Sequence, residues 1–288
     1  MVTRRTILWL AAAALACSNA FAQPPKRIVS TAPSITELLY ALGLGDRIVG
    51  VDRFSRYPPE ALRKAKIGDY VNPNLETIAS LRPDLVIIPT NPVKLADRLA
   101  LLRLKVLELD QESIAKLYES FRIVGQATGA TVQAAKLEST VRAQLEAVRM
   151  RATPLKKTRM MFVVGRTPNR LDGLIVVGQA SYLNEIITLA GGENVFGDAV
   201  ASYPGVSLEE VLARNPDVIV DMGEMWDTVG VTEEHKRQVT SLWERLSSVA
   251  AVKQHRVYAV ASDVYVIPGP RLVDAAKAFL EMLHPEAR

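Results

Sequence analysis

The chain has 288 residues, of which 49% are hydrophobic and 23% are charged. This composition is typical of a globular protein, and the length is enough for two modest domains or one large domain. The formal net charge is +4 and falls to +2 when Arg4 and Arg5 at the N-terminus are subtracted. The weak charge and the lack of a dense Lys/Arg stripe argue against a nucleic-acid partner.

The N-terminus has the features of an export signal. Arg4 and Arg5 precede an apolar run at 7–16, and Ala20-Phe21-Ala22 matches a signal-peptidase site. The run is too short to span a bilayer, which requires about 20 apolar residues. We therefore expect cleavage after Ala22 and a soluble mature protein in the periplasm. The alternative is lipid attachment at Cys17, the only cysteine in the sequence.

A weak internal repeat is the most informative feature of the chain. Residues 74–88 read NLETIASLRPDLVII and residues 207–221 read SLEEVLARNPDVIVD, at an offset of 133 positions (207 minus 74). Each copy predicts a short helix capped by Asn74 or Ser207, then a Pro-Asp turn and an apolar strand. A chance likeness of two amphipathic helices would explain the apolar spacing but not the shared turn and strand. We therefore expect two related α/β lobes.

A second pair of segments recurs in the same order. Residues 34–39 and 182–187 each predict a helix that is followed by glycine and a short apolar stretch. Ser34 and Glu37 have the spacing of a capping box at the start of the first of these helices. This second pair supports the same two-lobe organisation.

The predicted strands are short and wholly apolar, at 28–29, 85–88, 160–164 and 218–220. Continuous apolar strands that alternate with helices are typical of parallel sheets buried on both faces. Ligands of such sheets bind beyond the carboxyl ends of the strands.

A long helical pattern lies between the two copies, from Thr131 to Arg151, with no internal glycine or proline. Its apolar stripe contains Leu137, Val141, Leu145 and Val148. Because bending a helix breaks its backbone hydrogen bonds, we expect a stiff strut that permits little lobe motion. The predicted organisation is a signal peptide at 1–22, an N-terminal lobe at 23–130, an interlobe helix at 131–153 and a C-terminal lobe at 154–288.

Catalytic and metal-binding patterns are missing from the sequence. The three histidines, His235, His255 and His284, have no second ligand at the spacing of a zinc site. Nucleophile-elbow, P-loop and dinucleotide-binding motifs are also absent. We therefore expect neither an enzyme, nor a metal centre, nor a covalently bound cofactor.

Aromatic residues lie in segments between the predicted helices and strands. They are Phe54, Tyr70, Tyr203, Trp226 and Tyr265. Any one of them alone is explained by packing at the base of a loop. Directed from both lobes into one cleft, the set predicts a binding site for a large, flat, partly apolar ligand.

Several stretches of the chain resemble one family of exported proteins. They are RIVSTAPSITELLYALGLGDRIVGV, RYPPEA, NPNLETIASLRPDLVII and AGGENVFGD with VSLEEVLARNPDVIV. These stretches resemble the periplasmic cobalamin-binding proteins and their iron-complex-binding relatives, the substrate-binding components of ABC importers. The resemblance runs from about Arg27 to Leu283. It implies two Rossmann-like α/β lobes with parallel sheets, joined by one long rigid helix, with the ligand in the cleft between the lobes.

The resemblance also implies roles for individual residues. Phe54 stands where the family usually has a tyrosine, and Tyr70 occupies a place that can hold a ligand-stacking tryptophan. A ligand-contacting segment of the family matches Ser262, Asp263, Val264, Tyr265 and Val266. Glu76 and Glu209 match two glutamates that dock onto arginines of the membrane permease, one from each lobe.

The implied function is that of a monomeric periplasmic protein that delivers cobalamin or a related corrinoid to an ABC permease dimer in the inner membrane. Haem or an iron–siderophore is the alternative ligand, with Tyr57, Tyr70 or Tyr265 as the candidate iron ligand. Alternatives of other classes are an exported sensor domain and an exported hydrolase. A hydrolase would require a Ser or Asp within hydrogen-bond reach of a His.

Overall fold

The computed structural model describes residues 23–69, 71–90, 94–223 and 232–287. They form two α/β lobes, each built on its own sheet, and the two-lobe prediction is confirmed. None of the helices among the residues so described is both long enough and apolar enough to cross a membrane. The predicted signal peptide with Cys17, and the site candidates Tyr70 and Trp226, lie outside the described residues.

The N-terminal lobe contains five parallel strands in the order β3-β2-β1-β4-β5. They are β1 (Ile28–Ser30), β2 (Ile48–Val51), β3 (Ala65–Lys66), β4 (Leu85–Pro89) and β5 (Val106–Leu109). The lobe's helices are α1 (Pro33–Ala41), α2 (Leu75–Ser80), α3 (Leu95–Leu101) and α4 (Ile114–Thr128). Because β1 and β4 are buried along both faces, they read as continuous apolar runs.

The C-terminal lobe contains a mixed sheet in the order β11-β10-β6-β7-β9, with β8 paired to β6. Its strands are β6 (Thr158–Gly165), β7 (Leu174–Val176), β8 (Gly192–Asn194), β9 (Gly205–Val206), β10 (Val218–Asp221) and β11 (Val257–Ala259). The predicted strands β6 and β10 pair in parallel as expected, whereas β7, which was not predicted, runs antiparallel to β6. The connection between them, 166–173, is too short for a crossover helix, which takes a dozen or more residues.

Helix α5 (Thr131–Ala152) follows the first sheet in sequence and joins it to the second. The helices of the C-terminal lobe are α6 (Tyr182–Leu189), α7 (Leu208–Arg214), α8 (Glu233–Glu244), α9 (Ala250–Lys253) and α10 (Leu272–Leu283). Helix α5 packs against α4 on the N-terminal side and against α6 and α10 on the C-terminal side. One continuous hydrophobic cluster therefore runs from Leu38 through Leu145 to Phe162 and Phe279.

The internal repeat extends to backbone geometry and side-chain hydrogen bonds. The expected caps are confirmed: Thr77 N donates to Asn74 Oδ1 at 2.9 Å, and Ser207 forms a capping box with Glu210. Helices α2 and α7 are each followed by a left-handed residue, Arg82 or Asn215. After the Pro-Asp turn, β4 and β10 begin at the same offset of 133 positions (218 minus 85).

An arginine in each lobe fixes this helix–turn–strand unit to the first strand of its sheet. Arg27 donates to the carbonyl oxygens of Leu81 and Arg82, and Arg159 donates to those of Arg214 and Asn215. Asp84 and Asp217 in turn accept from the backbone N–H groups of the two arginines. The matched contacts support the common architecture of the two lobes.

The expected capping box at the start of α1 is wrong. Helix α1 begins at Pro33, a position where the missing backbone N–H of proline costs nothing, so its N-cap is Ala32. Ser34 instead donates to Gln111 Oε1 at 2.7 Å, and Glu37 binds an arginine of the other lobe. Neither side chain caps the helix, and both instead bind residues that are distant in the sequence.

Candidate ligand-binding site

The carboxyl ends of the two sheets meet between the lobes. The loop after β2 carries Tyr57, and the guanidinium carbon of Arg271 lies 3.9 Å from the centroid of its ring. Arg271 Nη2 also donates to Asp263 Oδ1 at 3.1 Å, in the segment after β11. Segments that follow strands of different lobes are thereby held against one another. This is the place where open α/β sheets bind their ligands.

A buried polar network supports the N-terminal side of this region. Ser30 and Thr36 hydroxyls lie 2.8 Å apart, Thr36 and Ser55 hydroxyls lie 2.7 Å apart, and Ser55 donates to Asp52. Asp52 is fully buried, and this burial raises its pKa to about 6 despite those hydrogen bonds. Its second carboxylate oxygen accepts from the backbone N–H of Phe54 at 2.8 Å. The network therefore sets the course of the loop that carries Phe54.

Phe54 itself is half-buried, and the Arg53 guanidinium carbon lies 4.6 Å from the centroid of its ring. Tyr57, three residues later, is 45% exposed although Arg271 covers one face of its ring. The loop after β2 thus presents two aromatic side chains that are partly accessible to a ligand.

On the C-terminal side, the five residues Ser262 to Val266 are all half-buried. Ser262 accepts from the Val264 N–H at 3.4 Å and begins a short 3-10 helix. The Tyr265 ring stacks on Phe279, with centroids 5.7 Å apart, and contacts Phe162 edge-on. Tyr265 therefore contributes part of its surface to the core, which anchors the segment. Ser262 and Tyr265 also line an open cavity of about 560 Å³ beside β11.

Tyr203 lies in the loop before β9 and is 43% exposed. Its hydroxyl accepts from the buried Ser181 at 3.2 Å. Burial of this end raises the pKa of Tyr203, and the negative charge of Glu112 in the N-terminal lobe adds to the effect. The phenol is therefore neutral at physiological pH, with an accessible ring close to the other lobe.

A second buried carboxylate, Asp221, ends β10 on the C-terminal side. It accepts from Arg166 Nε at 2.9 Å, from the Trp243 indole N–H at 2.7 Å and from the Gly223 N–H at 2.6 Å. Sequence reasoning missed both Asp52 and Asp221. The signal that could have indicated them is an aspartate at the end of an apolar strand. A carboxylate in such a buried position needs hydrogen-bond donors around it.

Two further contacts between the lobes were not predicted from the sequence. Arg271 donates to both carboxylate oxygens of Glu37, through Nε at 3.0 Å and through Nη2. On α6 of the C-terminal lobe, Glu185 accepts from the backbone N–H of Ile114 at 3.1 Å and thus caps α4. The partners are 234 and 71 positions apart in the chain, so no local pattern indicates either pair.

The two glutamates expected to dock are exposed, and each lies in the first turn of its helix, Glu76 on α2 and Glu209 on α7. Neighbouring Glu210 is engaged in the capping box with Ser207, which leaves Glu209 as the carboxylate outside that box. Across the described parts of the chain, no group of three or more His, Cys, Asp or Glu is arranged to hold a metal ion.

Comparison with known proteins agrees with this architecture. Residues 28–264 match the family model described as periplasmic binding protein. An ABC transporter substrate-binding lipoprotein of Bacillus subtilis, YvrC, is 31% identical, with 91% of this chain and 81% of that protein covered.

Two solved structures have the same fold over nearly their whole length. The vitamin B12-binding protein of Vibrio cholerae matches with a TM-score of 0.77 at 27% identity, covering 92% of this chain and 98% of that one. The haem-binding protein RhuT of Roseiflexus sp. RS-1 matches with a TM-score of 0.78 at 27% identity, covering 91% and 99%. The resemblance predicted from the sequence is confirmed: the chain belongs to the periplasmic binding protein family, the substrate-binding proteins of ABC importers whose members include binders of vitamin B12 and of haem.

Proposed function

We propose that the protein is exported, binds a corrinoid of the cobalamin type between its lobes and delivers it to an ABC permease dimer. The observation that carries this proposal is the approach of the two strand-end loops. Arg271 contacts Tyr57 in the loop after β2 and Asp263 in the segment after β11. A ligand that lies between these loops touches both lobes at once.

The side chains around this region suit a large, flat ligand. Phe54, Tyr57 and Tyr203 offer partly exposed aromatic faces, which stabilise a planar ring system through area burial and stacking. The segment from Ser262 to Val266 supplies hydroxyl, carboxylate and backbone groups that are suited to amide-bearing side chains at the rim of a corrin ring. Likeness to the Vibrio cholerae protein supports the same ligand class.

Haem is the second candidate, and one observation favours it. Tyr57 is 45% exposed at the meeting of the lobes, and a phenol oxygen at such a position is able to ligate ferric iron. Tyr265 is the weaker candidate because its ring is stacked on Phe279. Likeness to RhuT supports this alternative.

Delivery is the second half of the proposal. Glu76 and Glu209 occupy equivalent positions on α2 and α7, separated by the repeat offset of 133 (209 minus 76). A matched pair of exposed carboxylates suits a permease dimer with a matched pair of cations. Exposed ion pairs contribute only about 0–1 kcal/mol each, so their effect lies mainly in orientation and encounter rate.

The proposals on export and on the monomeric state rest on the sequence analysis. The mature protein begins at Gln23 and acts as a monomer. Its lobes are 23–130 and 154–288, with the interlobe helix at 131–153. Mass spectrometry of the protein from the periplasm tests cleavage after Ala22, and a lipid-modified N-terminus at Cys17 would contradict it.

A spectroscopic screen tests the ligand. Purified mature protein is mixed in turn with cyanocobalamin, haemin and a ferric siderophore, and the visible spectra are recorded. A saturable change with cyanocobalamin supports the corrinoid. A haemin charge-transfer band that is lost in Tyr57→Phe and kept in Tyr265→Phe supports haem instead. No change with any of the three, together with no heat on calorimetric titration, contradicts both candidates.

A further inference from the structure

The ion pair between Glu37 and Arg271 crosses the cleft in a buried position. Glu37 lies on α1 of the N-terminal lobe and is 4% exposed, while Arg271 is the N-cap residue of α10 in the C-terminal lobe. Two guanidinium nitrogens donate to the two carboxylate oxygens, which is the strong, geometrically specific form of this interaction. The contact therefore fixes an orientation as well as a distance between the two lobes.

The surroundings of the pair leave little freedom. A Cβ atom placed on Gly269 would lie 3.0 Å from Glu37 Oε2, so glycine leaves the space that the carboxylate occupies. Tyr182 of α6 is buried close by. Burial raises the pKa of its phenol well above the usual value, and the negative charge of Glu37 adds to the effect. Arg271 is thus the side chain of the C-terminal lobe that binds the Glu37 carboxylate.

Arg271 has two more partners, and both lie in proposed ligand-contacting loops. It donates to Asp263 Oδ1 at 3.1 Å, within the segment Ser262 to Val266. Its guanidinium group also covers the ring of Tyr57 in the loop that carries Phe54. One side chain thus joins α1, the loop after β2 and the segment after β11.

We infer that Arg271 is a positioning residue of the binding site, which holds the two lobes at a fixed separation and orients the loops that contact the ligand from either side. The part of this inference that concerns the loops rests on the proposed function. The part that concerns lobe separation does not, since it describes the ligand-free protein.

The mature chain is well suited to a direct distance measurement. The full sequence has one cysteine, Cys17, which lies in the proposed signal peptide, so cysteines introduced into the mature chain are its only labelling sites. Ala100→Cys on α3 and Glu244→Cys on α8, both at exposed positions, place one spin label on each lobe. Double electron–electron resonance then gives the distribution of interlobe distances without ligand.

We expect a single narrow distribution for the labelled wild type. Arg271→Gln and Glu37→Gln should each broaden it and lengthen its mean, and the double variant should change it no further than either single variant, because both act on one contact. Arg271→Lys, which keeps the charge but loses the planar fork, should give an intermediate width. The matched control is Arg149→Gln, which removes an exposed arginine–glutamate pair within α5.

Affinity for cyanocobalamin, or for haemin if that is the probe that binds, supplies the second measurement. Arg271→Gln should weaken binding at least tenfold, while Arg149→Gln should change it less than twofold. An unchanged distance distribution in a folded Arg271→Gln or Arg271→Lys protein would overturn the inference, even if stability fell. Failure of every probe to bind would contradict the proposed function. The distance measurement would still test whether the Glu37–Arg271 ion pair fixes the separation of the lobes.

Discussion

At the scale of single residues, the site depends on buried charges whose partners come from distant parts of the chain. Asp52, Asp221 and Glu37 are each almost or fully buried, and each accepts hydrogen bonds that fix a loop or a neighbouring helix. A carboxylate removed from water without such partners would be strongly destabilising. The hydrogen bonds of these carboxylates thus fix the conformation of the loops at the strand ends.

Because the pKa of Asp52 is raised in the folded protein, the stability of the fold depends on pH. Burial raises this pKa from 3.8 to about 6, so the folded state binds a proton more readily than the unfolded state between these values. Stability from this group is present at low pH and is lost as the pH rises through 6. The shift corresponds to about 3 kcal/mol.

Asp52→Asn should remove this dependence while keeping the acceptor for the Phe54 N–H. Denaturant unfolding at pH 4 and pH 7 should show that the wild type loses about 2 kcal/mol relative to the variant over this interval. Equal changes in the two proteins would contradict the raised pKa of Asp52.

At the scale of elements, α5 connects the lobes through packing rather than by chain continuity alone. Its buried face, which includes Val141, Leu145 and Val148, belongs to the same hydrophobic cluster as α1 and β6. An apolar interface of this kind resists separation because opening it would expose that cluster to water. We therefore expect this helix to act as a stiff connection between the lobes.

Leu145→Ala should lower the free energy of unfolding by about 2–5 kcal/mol, because it leaves a cavity where both lobes pack. Val132→Ala, on the same helix but 79% exposed, should change it by less than about 0.5 kcal/mol. Urea denaturation followed by circular dichroism measures both. Separate transitions of two lobes in the wild type would argue against the shared core.

The same elements show what could be predicted from sequence. Periodicity and caps predicted α2–β4 and α7–β10 because those signals lie within fifteen neighbouring residues, 74–88 and 207–221. The antiparallel β7 and the role of Glu37 could not be predicted in this way. A Ser-x-x-Glu spacing occurs both in capping boxes and by chance. Here the start of α1 at Pro33 and the bond of Glu37 to the distant Arg271 show that it is not a capping box.

At the scale of the whole molecule, the repeat gives two lobes with equivalent surfaces and one shared cleft. The strand ends face inward, where Arg271 joins them, while Glu76 and Glu209 are exposed on α2 and α7. In the proposed function, ligand contact and permease docking therefore use different residues. Changes at one surface should leave the other intact.

Glu76→Ala combined with Glu209→Ala should reduce ligand uptake by cells at least tenfold while affinity of the purified protein changes less than twofold. The matched control is Asp97→Ala with Glu234→Ala, which also removes one exposed first-turn carboxylate from each lobe. Uptake in that control should equal the wild type. A large loss of affinity in the glutamate double variant would contradict the docking role.

The most direct test of the account is a calorimetric titration of cyanocobalamin into the mature protein and into Phe54→Ala. We expect one site per molecule in the wild type and binding about ten- to a hundredfold weaker in the variant, because loss of a buried aromatic face costs about 1.5–3 kcal/mol. Leu101→Ala, which removes an 84% exposed side chain elsewhere on the same lobe, should bind as the wild type does. Absence of binding by the wild type, or equal affinity in Phe54→Ala, would contradict a corrinoid site between the lobes.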